Sequence, residues 1–161
     1  MTLRPDLIAL TADLAAHLAR VEREVEDIQS LSSAGESDRT TLWALAGHLQ
    51  AFYTGCEAIL QRAVERFEGP PPYGADSHIR LLQMATLNLP GLRPPILQTE
   101  TAAALDPYRA FRHFFRHGYG VELDWNKMAA KVHGIGDVRT RLVHDLAELS
   151  RFLNTLASGA P

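Results

Sequence analysis

The sequence has 161 residues, of which 46% are hydrophobic and 22% charged, and a formal net charge of -3. That length predicts one domain, residues 1–161, large enough to bury a substantial core. The negative balance excludes a uniformly basic surface for nucleic acids, so any attraction to RNA or DNA must be local. The single cysteine excludes an intrachain disulfide, and no apolar run reaches the ~20 residues of a membrane span. We therefore expect a cytoplasmic protein with no part in the membrane.

Two long amphipathic helices are predicted first. Apolar residues at heptad spacing indicate one helix over about residues 4–31. A turn follows, in which Ser37 or Asp38 can cap a second helix that runs to the proline-rich stretch GPPPYG. Cys56 lies on the apolar seam of this helix, which favours a packing role over a nucleophile. The two seams comprise Leu7, Leu10, Leu14, Leu18, Val21, Val25 and Ile28, then Leu42, Leu45, Leu49, Phe52, Cys56, Ile59, Ala63 and Phe67.

Three further helical segments are predicted in the second half. A short helix near residues 77–87 precedes the loop NLPGLRPP, and Asp106 with Pro107 suggests a new helix start. A last helical region begins at Asp124 and runs to about residue 156, with a kink or break expected at Gly134 and Gly136. No strand pattern appears in the sequence. The fold class predicted is all-α, an up-and-down bundle of four to five helices.

One segment, YRAFRHFFRHGYG at residues 108–120, concentrates positive charge in this acidic chain. At 100° per residue its cations fall on one side of a helix and its aromatic residues on the other. We expect the aromatic side to be buried and the cationic side to face outwards, arranged for an anion. The cationic side comprises Arg109, Arg112, His113, Arg116 and His117, and the aromatic side comprises Tyr108, Phe111, Phe114 and Phe115.

The chemistry of this segment suits a phosphate. Arginine binds phosphate through a planar fork of donors, and histidine exchanges protons near neutral pH. Arg112 and His117 are about 140° apart around an ideal helix. Because Gly118 and Gly120 indicate that the helix ends near His117, an ending helix or a second subunit can bring both groups to one ligand. Tyr119 adds a phenol beside them.

The segment also carries a family pattern. Arg112, His117 and Tyr119 form the R-x4-H-x-Y pattern of the HEPN superfamily, and FRHFFRHGY resembles its HepT-type ribonuclease toxins. SHIRLLQM upstream and LDWNKM downstream are similar to HepT-like proteins as well. The likeness covers the chain from about Tyr53 to the end and is loosest in the first helix.

The resemblance implies a metal-independent endoribonuclease that needs no cofactor. His117 corresponds to the residue that serves in general acid/base chemistry during attack by the ribose 2′-hydroxyl. Arg112 corresponds to the residue that orients the scissile phosphate. Arg109, Arg116 and His113 are then expected to support substrate binding, although many family motifs have a polar residue, often asparagine, where this chain has His113.

The resemblance also implies partners. HEPN proteins usually dimerise so that two motifs face one cleft, so we expect a homodimer that acts on RNA. HepT-like toxins pair with MntA-like nucleotidyltransferase antitoxins, which can adenylylate the motif tyrosine, here Tyr119. Tyr119 is therefore both a substrate-binding candidate and a modification candidate.

Other interpretations stay open at this point. The same cationic face suits a catalytically silent module that grips a nucleotide or a nucleotidyltransferase. His113 and His117, with His48 from the second helix, would imitate the three-histidine metal site of DinB-like bundles, but the nearby arginines disfavour a cation. Three residues are candidates for the border of a cleft, with a purely structural role as the alternative: Tyr53, Glu57 and His78.

Overall fold

The computed structural model describes residues 4–33, 38–118, 120 and 122–159, and within them the chain is an all-α bundle, as predicted. None of the described helices has an apolar stretch long enough to cross a membrane. The helices are α1 (Pro5–Ser33), α2 (Arg39–Glu68), α3 (Ser77–Ala85), α4 (Thr99–His117) and α5 (Trp125–Ser158).

The core lies between the long helices. α1 packs along α2 and α5, α4 packs against α2 and α5, and α3 bridges α2 and α4. Most residues of both predicted seams, Cys56 among them, are buried. α1 and α2 pack tightly at Gly55, where an added Cβ would lie 2.7 Å from Val21 Cγ2.

Side chains of aspartate fix the starts of two helices. Asp38 accepts a hydrogen bond from the backbone N–H of Thr41 at 2.7 Å, and Asp124 accepts one from Asn126 at 2.9 Å. Such bonds satisfy backbone donors that the first turn of a helix leaves unpaired. The predicted cap Asp38 and the predicted start of the last helical region at Asp124 are confirmed, whereas Ser37 lies outside the described residues.

The prediction that a helix restarts at Pro107 is wrong, because α4 already begins at Thr99 and has Pro107 in its interior. The residues before the proline include three alanines, the strongest helix former. In addition, the backbone N–H of Gln98 donates to Asp145 Oδ2 of α5 at 2.9 Å, and Asp145 is buried. The alanines and this anchor outweigh the cost of the proline.

The predicted interruption at Gly134 and Gly136 is also wrong, since α5 is one helix through both. A Cβ at Gly136 would lie 3.0 Å from Gln29 Nε2 on α1, and one at Gly134 would lie 3.8 Å from the Tyr108 hydroxyl oxygen. These glycines therefore leave room for neighbouring side chains and do not break the helix.

The proline-rich loop before α4 is organised around one buried arginine, Arg93, which is 2% exposed. Its Nε and Nη2 donate to Glu68 Oε2 at 2.7 and 2.5 Å. Its Nη1 and Nη2 also donate to the carbonyl oxygens of Leu87, Pro94 and Met84. Every nitrogen of the guanidinium is thus engaged by the protein.

Candidate functional site

Arg112 does not share the exposed face predicted for it. Its residue surface is only 8% exposed, whereas Phe114, predicted to be buried, is 48% exposed. Within the segment of residues 108–117, the α4 positions that face inwards are those of Tyr108, Phe111 and Arg112. Arg112 borders the aromatic side of the helix, and a modest rotation of α4 turns it towards α2 and moves Phe114 out. The prediction that all the cations line up outside is therefore wrong for Arg112.

Two residues of α2 receive the Arg112 side chain. Its Nε donates to Thr54 Oγ1 at 2.9 Å, and its Nη2 lies 3.6 Å from Glu57 Oε1. The Thr54 hydroxyl in turn donates to the Gln50 carbonyl oxygen at 2.9 Å, so it has both a donor and an acceptor role. The sequence reasoning missed Thr54. The available signal was its spacing of three residues from Glu57, which places both on one side of a helix.

Glu57 links Arg112 to His78. The second carboxylate oxygen, Oε2, makes a short hydrogen bond with His78 Nδ1, and Glu57 is 6% exposed. An ionised carboxylate only accepts, so the proton lies on Nδ1 and the other ring nitrogen, Nε2, is directed away from Glu57. We call Thr54, Glu57, His78 and Arg112 the Glu57 cluster. It unites two candidates for a cleft border with the motif arginine.

Tyr53, the third of these candidates, lies beneath the surface. It has no exposed surface, and its hydroxyl has no hydrogen-bond partner within the described part of the chain. Burial, and secondarily the negative charge of Glu57, raises the pKa of Tyr53 well above its usual range. Tyr53 therefore does not border an open cleft in this protomer, contrary to the prediction.

The C-terminal end of α4 carries the other predicted residues. His113, Arg116 and His117 are exposed, and α4 ends at His117, as predicted. The rings of His113 and His117 stack with centroids 4.5 Å apart, and His117 Nδ1 lies 2.9 Å from the His113 carbonyl oxygen. Since a carbonyl only accepts, Nδ1 carries the proton and Nε2 of a neutral His117 is an acceptor.

Arg109 and Tyr119 complete the predicted set. Arg109 Nε donates to Asp106 Oδ1 at 2.6 Å, so one cation of the segment is already paired with a carboxylate from the preceding turn. Tyr119 lies outside the described residues, and its predicted roles stay predictions.

The three-histidine metal site is not formed. His48 Nδ1 instead lies 2.7 Å from Glu24 Oε2 and 3.9 Å from Asp27 Oδ2, on the side of α2 that faces α1. Among the described residues, the group with ligand atoms close enough for a metal ion is Glu24, Asp27 and His48. His48 therefore does not join His113 and His117, and the DinB-like alternative loses its ligand set.

Two grooves of the described surface lie beside the C-terminal half of α4. One, of about 410 Å³, lies between α4 and the start of α5 and is lined largely by apolar side chains, including Phe111 and Phe114. The other, of about 660 Å³, is lined in part by Trp43 and Gly118. Neither groove is lined by Arg112 or His117. Neither of these two grooves is therefore the shared pocket that was expected around Arg112 and His117.

Comparison with known families identifies the chain. A sequence model described as HepT-like protein matches residues 44–153, which is more than half of the chain. The chain belongs to the HepT-like family. No curated protein and no solved structure matches it significantly.

In this HepT-like protein the matched region runs from the first turns of α2 to near the end of α5. It contains the whole Glu57 cluster together with His113, Arg116 and His117, and it leaves out α1. The likeness was predicted from about Tyr53 to the end of the chain and loosest in the first helix; the match runs from residue 44 to residue 153 and does not include α1. Membership of this family suggests a HEPN-type, toxin-related function.

Proposed function

We propose that this HepT-like protein is a metal-independent endoribonuclease toxin that acts as a homodimer and is restrained by an MntA-like nucleotidyltransferase antitoxin. The proposal depends on the observed contacts of the Arg112 guanidinium group. Its Nε is fixed by Thr54, but its Nη2 lies 3.6 Å from Glu57, beyond a hydrogen bond. The guanidinium is therefore oriented by the fold while its terminal nitrogens keep donors for a phosphate.

The proposed reaction uses Arg112 and His117 in different ways. His117 Nε2, the acceptor nitrogen of the neutral ring, takes the proton of the ribose 2′-hydroxyl as its oxygen attacks phosphorus. Arg112 stabilises the additional negative charge on the phosphoryl oxygens. Arg116 and His113, exposed on the same end of α4, hold neighbouring phosphates, and Arg109 supports them from the turn before.

A homodimer fits the open surroundings of these residues. Because neither groove beside α4 includes Arg112 or His117, a second copy of the chain is the proposed source of the missing wall. Adenylylation of Tyr119 by the antitoxin would place bulk and negative charge beside the arginines and block RNA. Incubation with the partner and ATP should then raise the intact mass by one adenylyl group, and a Tyr119→Phe variant should stay unchanged.

Cleavage of RNA in excess chelator tests the proposal. The wild type should cleave, and Arg112→Ala and His117→Ala should each reduce the rate at least about 10²-fold. Arg141→Ala is the matched control, because Arg141 is a half-exposed arginine of α5 that pairs with Asp137. Its rate should equal that of the wild type. Absence of cleavage by the wild type, or full activity of both motif variants, would contradict the proposal.

A second function is favoured by the Glu57 carboxylate, which offsets part of the charge of Arg112. In that case the protein is a catalytically silent module that binds a nucleotide or a nucleotidyltransferase. It should form a stable complex with either ligand without turning over RNA. A short nucleotidyltransferase reading frame beside the gene would support a partner under both functions, so the cleavage assay distinguishes them.

A further inference from the structure

RNA cleavage by the 2′-hydroxyl requires two proton transfers. One proton leaves the attacking 2′-oxygen, and another must reach the departing 5′-oxygen. Under the proposed function His117 performs the first transfer. The R-x4-H-x-Y motif fixes one histidine, His117, so the donor for the 5′-oxygen is a second group.

His78 is placed to supply it. His78 and Arg112 contact the two oxygens of one carboxylate, that of Glu57, although they come from α3 and α4. Two groups on one carboxylate lie within the span of a single ribose–phosphate unit. A phosphate held by the terminal nitrogens of Arg112 therefore has the His78 ring beside it.

The orientation of His78 is that of a proton-transfer residue. Its Nδ1–H donates to Glu57, whose side chain is only 7% exposed, while 34% of the His78 side chain is exposed. A buried carboxylate that fixes one nitrogen of a partly exposed imidazole ring is the arrangement that orients histidines in acid–base catalysis.

We propose that His78, oriented by Glu57, is the general acid of the reaction; the assignment rests on the proposed function. The 2′-oxygen forms a bond to phosphorus and gives its proton to His117 Nε2. The bond from phosphorus to the 5′-oxygen breaks, and that oxygen takes the proton from Nε2 of protonated His78. The products are a 2′,3′-cyclic phosphate and a 5′-hydroxyl, and exchange of one proton with solvent at each ring restores both histidines.

The decisive variant is His78→Asn in the full-length protein, because the asparagine amide nitrogen occupies the position of Nδ1. Its amide N–H still donates to Glu57 and keeps the cluster paired, but an amide cannot transfer a proton at neutral pH. With single-stranded RNA in excess chelator, kcat should fall about 10²- to 10⁴-fold with little change in KM. The pH–rate profile should also lose its decline at high pH, because that decline reports deprotonation of the acid. Imidazole added to His78→Ala should restore part of the rate.

The matched control is His144→Asn. His144 also approaches a buried carboxylate, Asp145, through Nδ1 at 3.4 Å, but it lies on α5 outside the Glu57 cluster. This variant should cleave at the wild-type rate with the wild-type profile.

The outcomes separate the two proposals. An active wild type with an equally active His78→Asn variant would overturn the assignment and leave the ribonuclease proposal intact. So would a profile that is scaled down without a change of shape and without rescue by imidazole, since that is the signature of a structural role. A wild type that cleaves no RNA would remove the proposed function first, and the role of His78 with it.

Discussion

Two arginines are buried in this protein, and they are treated differently. Arg93, in the loop before α4, donates to one carboxylate and to three carbonyl oxygens. Arg112, between α4 and α2, has one hydrogen bond, to Thr54, and a longer contact with Glu57. A guanidinium has five N–H donors, so Arg93 is saturated by the fold and Arg112 is not. The first is built to hold the loop, and the second keeps capacity for a ligand.

A second polar group in this region also lacks hydrogen-bond partners. The hydroxyl of Tyr53, one residue before Thr54, is buried without a hydrogen-bond partner. Within the described residues the other such atom is Arg66 Nε, but that side chain reaches the surface, where its Nη2 pairs with Asp6. Among the described residues, the Tyr53 hydroxyl is thus the interior polar group without a hydrogen-bond partner, and it lies where α2 faces α4, beside the proposed site.

The largest effect is expected from Arg93→Met. It leaves Glu68 as an unpaired, nearly buried charge, so the free energy of unfolding should drop by about 3–5 kcal/mol. Urea denaturation of this variant and of Arg112→Met provides the comparison, because Arg112 has fewer protein partners and its loss should cost clearly less. Equal losses for the two variants would show that Arg112 is as structural as Arg93.

Arg112→Lys should damage activity more than stability. Lysine keeps the charge but lacks the planar fork, so the cleavage rate should fall about 10²- to 10³-fold. Arg116→Lys is the comparison at the exposed end of α4, and its activity should fall much less. If both variants kept the wild-type rate, the geometry of the Arg112 fork would be irrelevant to the reaction.

A smaller effect is expected from Gly55→Ala. The added methyl would clash with Val21 of α1 at 2.7 Å, so the free energy of unfolding should fall by about 1–3 kcal/mol. Gly47→Ala is its control, because a Cβ at Gly47 meets no atom within 4 Å and should stabilise α2 by up to about 1 kcal/mol. Since Gly55 follows Thr54, the cleavage rate of Gly55→Ala also reports how strictly α2 must position the anchor of Arg112.

The smallest effects separate two buried phenols. The Tyr108 hydroxyl donates to the Lys131 carbonyl oxygen at 2.8 Å, so Tyr108→Phe should cost about 1 kcal/mol. Tyr53→Phe removes a hydroxyl without a partner and should be neutral or slightly stabilising. A loss in Tyr53→Phe as large as that in Tyr108→Phe would mean that the Tyr53 hydroxyl is satisfied in solution.

The comparison of the wild type with Tyr108→Phe also gives a test that depends on pH. Burial raises the pKa of Tyr108 to about 12, above the value of about 10 in an unfolded chain. The stability that the neutral phenol contributes is therefore complete below about pH 10 and is lost as the pH rises through the folded-state pKa. The difference in stability between the wild type and Tyr108→Phe should narrow over this range.

Much of the fold is readable from the sequence because it depends on periodicity. The seven-residue repeat of Leu7, Leu14, Val21 and Ile28 predicted the inner face of α1, and all four are buried. The start of α4 was missed because local rules place Pro107 in a first turn, whereas the anchor that decides the matter, Asp145, is remote in sequence. The continuity of α5 was missed because Gly136 was interpreted as a helix breaker. In the structure it lies opposite Gln29 of α1, a contact that is remote in sequence.

The sequence indicated which types of residue would form the candidate site, but it did not indicate how their side chains are arranged. The pattern at Arg112 and His117 pointed to the HepT-like family, and the family match over residues 44–153 contains both residues. The burial of Arg112 depends on the rotation of α4 against α2, and an angle of a few tens of degrees decides whether a boundary residue faces inwards. Thr54 is a partner only once that rotation is fixed, so no pattern along the chain identifies it.

The hydrogen bond from Gln98 to Asp145 fixes the start of α4 to α5, so a small tilt of α4 about this point is amplified at its far end. Its first turn is clamped to α5, and its last residue is the proposed base. A helix of 19 residues is about 28 Å long, so a tilt of about 3° at the clamp moves the far tip by about 1.5 Å. Displacements of that size are enough to cost an enzyme about two orders of magnitude in rate. The rate of the proposed reaction should therefore depend on a carboxylate at the other end of α4, outside the Glu57 cluster.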